Sequence, residues 1–183
     1  MILAGFSIPN TARLTILPSH PDMIRAIANL EIGVEGPPTA VNAQMPFKYR
    51  TRRIPGSRGP ARYGTIHDYL YVGEGLYRLD GIARYASDAS PVRASDGNGP
   101  AAWAWQREQL PSMYMPQWAA RYLLIITGVR LVHVQEMTRA EALSEGVPSV
   151  AAYAALWDRL NADRGYPWAD NPQALDITFR RLT

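Results

Sequence analysis

The chain of 183 residues contains no cysteine, a single lysine, three histidines and three phenylalanines. Without cysteine there is no disulfide scaffold, thiolate metal site or cysteine nucleophile, and an intracellular setting is the expectation. No window reaches the roughly 20 uninterrupted apolar residues of a membrane span. Residues 1–10 also lack the cationic start and longer apolar stretch of a secretory signal. A cytoplasmic protein with no membrane partner is expected. His20, His67 and His133 are scattered, with no HExxH pattern and no carboxylates at ligand spacing, so neither a metal nor another cofactor is called for. The phosphate-cradling sequences GxGxxG and GxxxxGK[ST] do not occur, nor does a GxSxG nucleophile elbow.

What the chain does have is 47% apolar residues, enough for one ordinary domain with a core of its own. Net charge is only +3, but it is unevenly distributed. No acidic residue lies between Glu35 and Asp68, while Lys48, Arg50, Arg52, Arg53, Arg58 and Arg62 all fall there. Such a run is either a solvated basic loop or a site for phosphates, whose oxygens match arginine forks. The one lysine, among 18 arginines, sits inside this run. A guanidinium does not lose its proton in a protein, whereas a lysine amine does when burial or neighbouring cations favour the neutral form. Lys48 is therefore a candidate for proton transfer. Tryptophan and tyrosine supply 15 of the 18 aromatics, rings with a polar edge that suit wet clefts. Tyr49 and Trp118, near arginines or in boundary segments, are candidates for stacking on a base.

Hydrophobic spacing predicts a strand over 12–17 and a helix from Pro21, with Asp22 at the positive end of its dipole. Strand segments over 69–79 should bend at Gly73 and Gly75. Residues 87–112 are mostly turn formers and read as a long loop insertion carrying Trp103 and Trp105, a possible protein-docking element. Two strands joined by a tight turn at Gly128 are expected over 121–134. Thr138 and Glu141 form the sequence of a capping box, with Gly146 as the stop, and Ser149 opens a longer helix ending near Gly165. The final strand, 174–182, alternates as a half-exposed strand does. This order predicts an α+β domain on an antiparallel or mixed sheet.

Three groups of residues together carry a resemblance: Lys48-Tyr49-Arg50-Thr51-Arg52-Arg53, then Tyr63-Gly64 leading to Asp68-Tyr69-Leu70-Tyr71-Val72, then Met115-Pro116-Gln117-Trp118-Ala119-Ala120-Arg121. In this order they resemble the ASCH domain family, especially its bacteriophage and prophage members. The segment from Ile125 to Gly146 resembles that family's strand, strand and short helix, and Leu156-Trp157-Asp158, Gly165-Tyr166 and Asn171-Pro172 resemble its end. The likeness covers most of 48–183, and residues 1–47 depart from the family pattern.

The resemblance implies one PUA-like domain spanning 1–183, a small mixed or antiparallel β-barrel with flanking helices and a cleft for RNA or a modified nucleoside. Small bacterial members include amidohydrolases that remove the acetyl group from N-acetylated cytidine, using a lysine, a threonine three residues later and a glutamate. The matching positions are Lys48, Thr51 and Glu145. Thr51 would attack the acyl carbon, Lys48 would take the hydroxyl proton, and Glu145 would orient the base. Arg50, Arg52, Arg53, Arg58 and Arg62, with Tyr49 and Trp118, would bind the substrate or nucleic acid. The other reading is a non-catalytic nucleic-acid or protein-binding module of phage origin.

Overall fold

The computed structural model describes residues 2–3, 6–9, 11–30, 32–34, 48–55 and 63–183. Arg58 and Arg62 lie outside the described residues. The strands are β1 (Ile2–Leu3), β2 (Phe6–Ser7), β3 (Leu14–Pro18), β4 (Arg50–Arg53), β5 (Tyr69–Gly73), β6 (Leu76–Leu79), β7 (Ile82–Tyr85), β8 (Gln109–Leu110), β9 (Leu123–His133) and β10 (Gln173–Arg181). Among the described residues three α-helices join them: α1 (Pro21–Ala28) between β3 and β4, then α2 (Arg139–Ser144) and α3 (Val150–Asn161) between β9 and β10. The protein is thus α+β. The main sheet runs β3-β5-β9-β10-β4, with β3 and β5 parallel and the other pairs antiparallel, and β7-β6-β8 form a second, antiparallel sheet. No strand pairing among the described residues closes the main sheet into a barrel.

Local chemistry accounts for the helix starts. Pro21 occupies the first turn of α1, where a missing N–H costs nothing. At α2 the Thr138 hydroxyl accepts from the Glu141 amide at 3.2 Å while the Glu141 carboxylate accepts from the Thr138 amide at 3.0 Å, the reciprocal box its sequence predicts. Gly146, at φ +82°, turns the chain out of α2 directly after Glu145. Ser149 caps α3 by accepting from the Ala152 amide at 3.1 Å.

Two expectations are corrected. Residues 123–133 form one unbroken strand, not two strands and a turn. Gly128 lies opposite Thr178, and a Cβ there would come within 2.6 Å of the Thr178 hydroxyl oxygen. The glycine serves close strand approach beside a β9 bulge at Thr127, where the register shifts between Thr178 and Phe179. The segment 87–112, read as a long loop insertion, packs against the rest of the protein. It folds back on the second sheet through bridges from Arg84 to Pro91 and from Ile82 to Ala102, is closed on itself by a bridge from Arg93 to Pro100, and buries Val92 and Ala101. Arg121 clamps its start, donating to Glu74 at 2.7 and 2.8 Å, to Asp88 at 2.7 Å and to Ser87 at 2.8 Å. Finally, β10 is not half-exposed: it lies between β9 and β4, and Asp176 is 1% exposed.

The two faces of β10 define the layers. Leu175, Ile177 and Phe179 join Leu17 of β3, Ile24 and Ile27 of α1, and Leu70 and Val72 of β5 in one core cluster. Each such aliphatic side chain contributes about 1.5–3 kcal/mol on burial. On the other face Ala174 packs with Ile54, Val134, Ala142 of α2, and Tyr153 and Trp157 of α3. Strand β4 is the edge between the layers, and its end is fastened to β3 by the Arg53 guanidinium, which donates to the Pro18 carbonyl at 3.0 Å.

Candidate functional site

The basic run enters β4 at its outer edge. Antiparallel register sets Arg52 opposite Asp176 and Thr51 opposite Ile177, and directly opposed residues share a face. Arg50 and Arg52 therefore look toward α2, while Thr51 and Arg53 look toward the layer of α1. Lys48, just before the strand, is anchored by its amide to the Ala26 carbonyl of α1 at 3.1 Å and forms an isolated bridge with Glu145. The Tyr49 amide donates to the Ser144 carbonyl at 3.1 Å, which extends the attachment of this segment to the end of α2.

Glu145 is the centre of the group. One carboxylate oxygen pairs with the Lys48 ammonium and the other accepts the Arg52 amide, so the carboxylate occupies the outer edge of β4 where another strand would pair. Lys48 Nζ also donates to the Glu145 carbonyl at 3.3 Å. Both side chains are buried, 3% and 4% exposed. A carboxylate at a helix C-terminus is opposed by the helix dipole, and here these two donors offset that. Burial pushes the Lys48 ammonium below its ordinary value; Glu145 pulls the other way by charge and hydrogen bond, and the Arg53 charge adds to the lowering. Thr51 is buried, one peptide bond from the amide held by Glu145, and its hydroxyl hydrogen-bonds to no described residue. The structure thus brings Lys48 and Glu145 into contact and sets the Thr51 backbone beside them.

The remaining cations divide sharply. Arg50 pairs with Glu141 and, at 3.4 Å, with Asp176. Arg52 donates to Glu141 at 2.9 Å and to the Val134 carbonyl at 3.1 Å, with its side chain 1% exposed. Arg130 of β9 completes this cluster by pairing with Asp176 at 2.6 Å and with Glu141. Arg50 and Arg52 are therefore structural counter-ions that bind α2 to the sheet. Glu141 was legible as a capping residue, but its role as hub of three arginines was not, because its partners come from β4 and β9. Burial raises the Glu141 carboxyl, yet the Thr138 amide, the Arg52 charge and the bonds from Arg50 and Arg130 outweigh it and bring the group down to about 2.

Tyr49 is half-buried against the α1 layer. Trp118 stands apart in the packing: it is 43% exposed on a 3-10 turn, and its neighbours Ala119 and Ala120 join the cluster of the second sheet. Sequence reasoning missed Tyr153. Its ring is buried with Ile54, Ala142 and Val147, its hydroxyl bonds to no described residue, and burial with the nearby Glu145 charge raises it well above its ordinary value. Only its helical spacing was visible, and that marks core and site residues alike. Among the described residues no group of three or more histidine, aspartate or glutamate side chains gathers at a point that would hold a metal ion, and no helix is long and apolar enough to cross a membrane.

Compared with family models, with curated proteins and with solved structures, the chain finds no match in any of the three.

Proposed function

We propose that the protein is a PUA-like, ASCH-type domain that binds a modified pyrimidine nucleoside, free or within RNA, at the outer edge of β4 and hydrolyses the amide of an N-acylated cytidine. One observation carries this reading: a lysine and a glutamate distant in sequence form a buried pair, and the glutamate's second oxygen holds the peptide that follows Thr51. A buried lysine with a lowered proton affinity is what a general base requires. The strand, helix and mixed-sheet order is compatible with the same family.

In this scheme neutral Lys48 takes the Thr51 hydroxyl proton as Oγ1 bonds to the acyl carbon, and the carbonyl electron pair moves onto oxygen. The intermediate collapses with cleavage of the C–N bond, and Lys48 returns the proton to the departing cytidine nitrogen. Water then cleaves the Thr51 ester, releasing the carboxylic acid and restoring the hydroxyl. Glu145 holds Lys48 Nζ in place throughout. The Thr51–Lys48 hydrogen bond closes with substrate present, as catalytic hydrogen bonds commonly do.

The test is a chromatographic time course with a panel of N-acylated cytidines, run with wild type, Lys48→Met and Thr51→Val proteins whose folding is checked by circular dichroism. Cytidine release by wild type alone supports the proposal. Release by all three at one rate, or by none, removes the hydrolase, and salt-dependent binding of RNA then becomes the measurement that decides for a binding module.

A further inference from the structure

We infer that Asn98 is a site of spontaneous covalent change: in the folded protein the Gly99 backbone nitrogen displaces its side-chain amide, and the position becomes aspartate or isoaspartate.

Sequence narrows the place. Asparagine is among the chemically labile residues, and of the six in this chain only Asn98 precedes a glycine. The reaction closes a five-membered ring between the asparagine Cγ and the next backbone nitrogen, and a side chain on that next residue obstructs the approach, whereas glycine permits it. Asp80 and Asp96 also precede glycines, but an ionised carboxylate repels a nucleophile that an amide admits.

The fold then leaves this one nitrogen ready. Residues 95–100 are exposed and form the tip of the turn closed by the bridge from Arg93 to Pro100. Within it the Gly97 amide is engaged with the Ala94 carbonyl at 2.9 Å, while the Gly99 amide donates to no described residue. No hydrogen bond to a described residue has to break before that nitrogen loses its proton. Gly99 lies at φ +87°, and a Cβ built on it would meet nothing within 4 Å, so neither the ring nor an entering water is crowded.

The step balances with water as the one co-reactant. Hydroxide takes the Gly99 amide proton, the nitrogen pair bonds Asn98 Cγ, and the bond from Cγ to Nδ2 breaks. Ammonia leaves with a proton from water, which restores the hydroxide. Water then opens the cyclic imide: at the side-chain carbonyl it gives aspartate, and at the backbone carbonyl it gives isoaspartate, in which the chain runs through the side-chain carbons.

The product disturbs the turn and little else. Asp96 accepts from the Asn98 backbone amide at 2.9 Å and from its side-chain nitrogen at 3.4 Å; a second carboxylate in that place repels it. Val92 and Ala101, buried below the turn, keep their backbone bonds to each other at 2.7 Å and to Ala83 at 2.9 Å.

Peptide mapping of stored protein tests this. Trypsin releases the peptide 94–107, in which Asn98 is the one asparagine. During storage of native protein it should give two new chromatographic species, each with oxygen in place of NH. Their formation should quicken about tenfold per pH unit in mildly alkaline buffer, as the ionised fraction of a weak acid does. The native rate should lie within about tenfold of that of the urea-unfolded chain, as for a segment that needs no opening to react. Asn98→Gln, which would have to close a larger ring, should abolish both species, and stored and fresh protein should share one urea midpoint. A native protein that stays unconverted or lags the unfolded chain by more than that factor overturns the inference. So does faster conversion at another asparagine, or new species that persist in Asn98→Gln, which would place the change at Gln106 of the same peptide. A lowered urea midpoint overturns its confinement to the turn.

Discussion

Lys48 and Glu145, 97 residues apart in the chain, meet twice: as a backbone bridge and as an ion pair sealed from solvent. A charge pair so placed is held by its partner, and removing one member leaves the other buried and uncompensated. Lys48→Met is therefore expected to destabilise the fold by about 3 kcal/mol. The double change Lys48→Met with Glu145→Gln should cost less, because the neutral amide still accepts from the Arg52 amide without carrying a charge. Urea unfolding of the single and double variants checks this, and a single variant within about 0.5 kcal/mol of wild type would show that the pair carries no such weight.

The same lysine gives stability a pH dependence on the alkaline side. Burial sets its folded-state value below the ordinary 10.5, the Arg53 charge assists, and Glu145 opposes without reversing the direction. Between the lowered value and the ordinary one, the unfolded chain binds the proton and the folded protein does not. Stability from this group must rise with pH across that window and be flat below it. Urea midpoints measured upward through the alkaline range should climb in wild type relative to Lys48→Met. A wild-type curve parallel to that of the variant would contradict the lowered value.

Glu141 acts at the other end of the scale. Its folded-state value is about 2 against an ordinary 4.5, so its contribution is complete above 4.5 and is lost as pH falls toward about 2. For a carboxylate only 17% exposed, that difference corresponds to about 3 kcal/mol. Glu141→Gln should remove much of the acid-induced loss between these limits while lowering stability at neutral pH, since Arg50, Arg52 and Arg130 lose their common counter-ion. Acid titrations followed by near-ultraviolet circular dichroism compare the two. An unchanged acid limb in the variant would place the acid-sensitive step elsewhere.

What could be seen in the sequence was what depends on near neighbours. The Thr138/Glu141 box, the Ser149 cap and the Gly146 stop each involve residues within a single turn, and their chemistry is the same in any fold. Gly128 was misplaced because a glycine required by a turn and one required by close strand approach look identical until the partner is known, and that partner is Thr178, 50 residues on. Asp176 looked solvent-facing because alternation shows which residues share a face, not whether a helix covers it. The site followed the same division. Arg50 and Arg52 resembled an anion-binding run only while Glu141 was out of view, and the pairing of Lys48 with Glu145 was suggested by family resemblance alone.

Gly128 and Thr178 offer a test of the close-approach account. Alanine is better suited than glycine to a strand interior, so in the absence of a clash Gly128→Ala would be neutral or slightly stabilising. A Cβ within 2.6 Å of Thr178 Oγ1 reverses this expectation, because that oxygen sits on a branched carbon whose rotation is limited and already bonds Thr127 at 3.2 Å. Gly128→Ala should therefore cost about 1–3 kcal/mol by overpacking. Thr178→Ala on the same chain removes the obstructing oxygen and should restore most of the loss, giving the pair a coupling energy of at least about 0.5 kcal/mol in a double-mutant cycle. Simple additivity of the two changes would mean that the strands part without cost at this point, and the glycine would then need a different explanation.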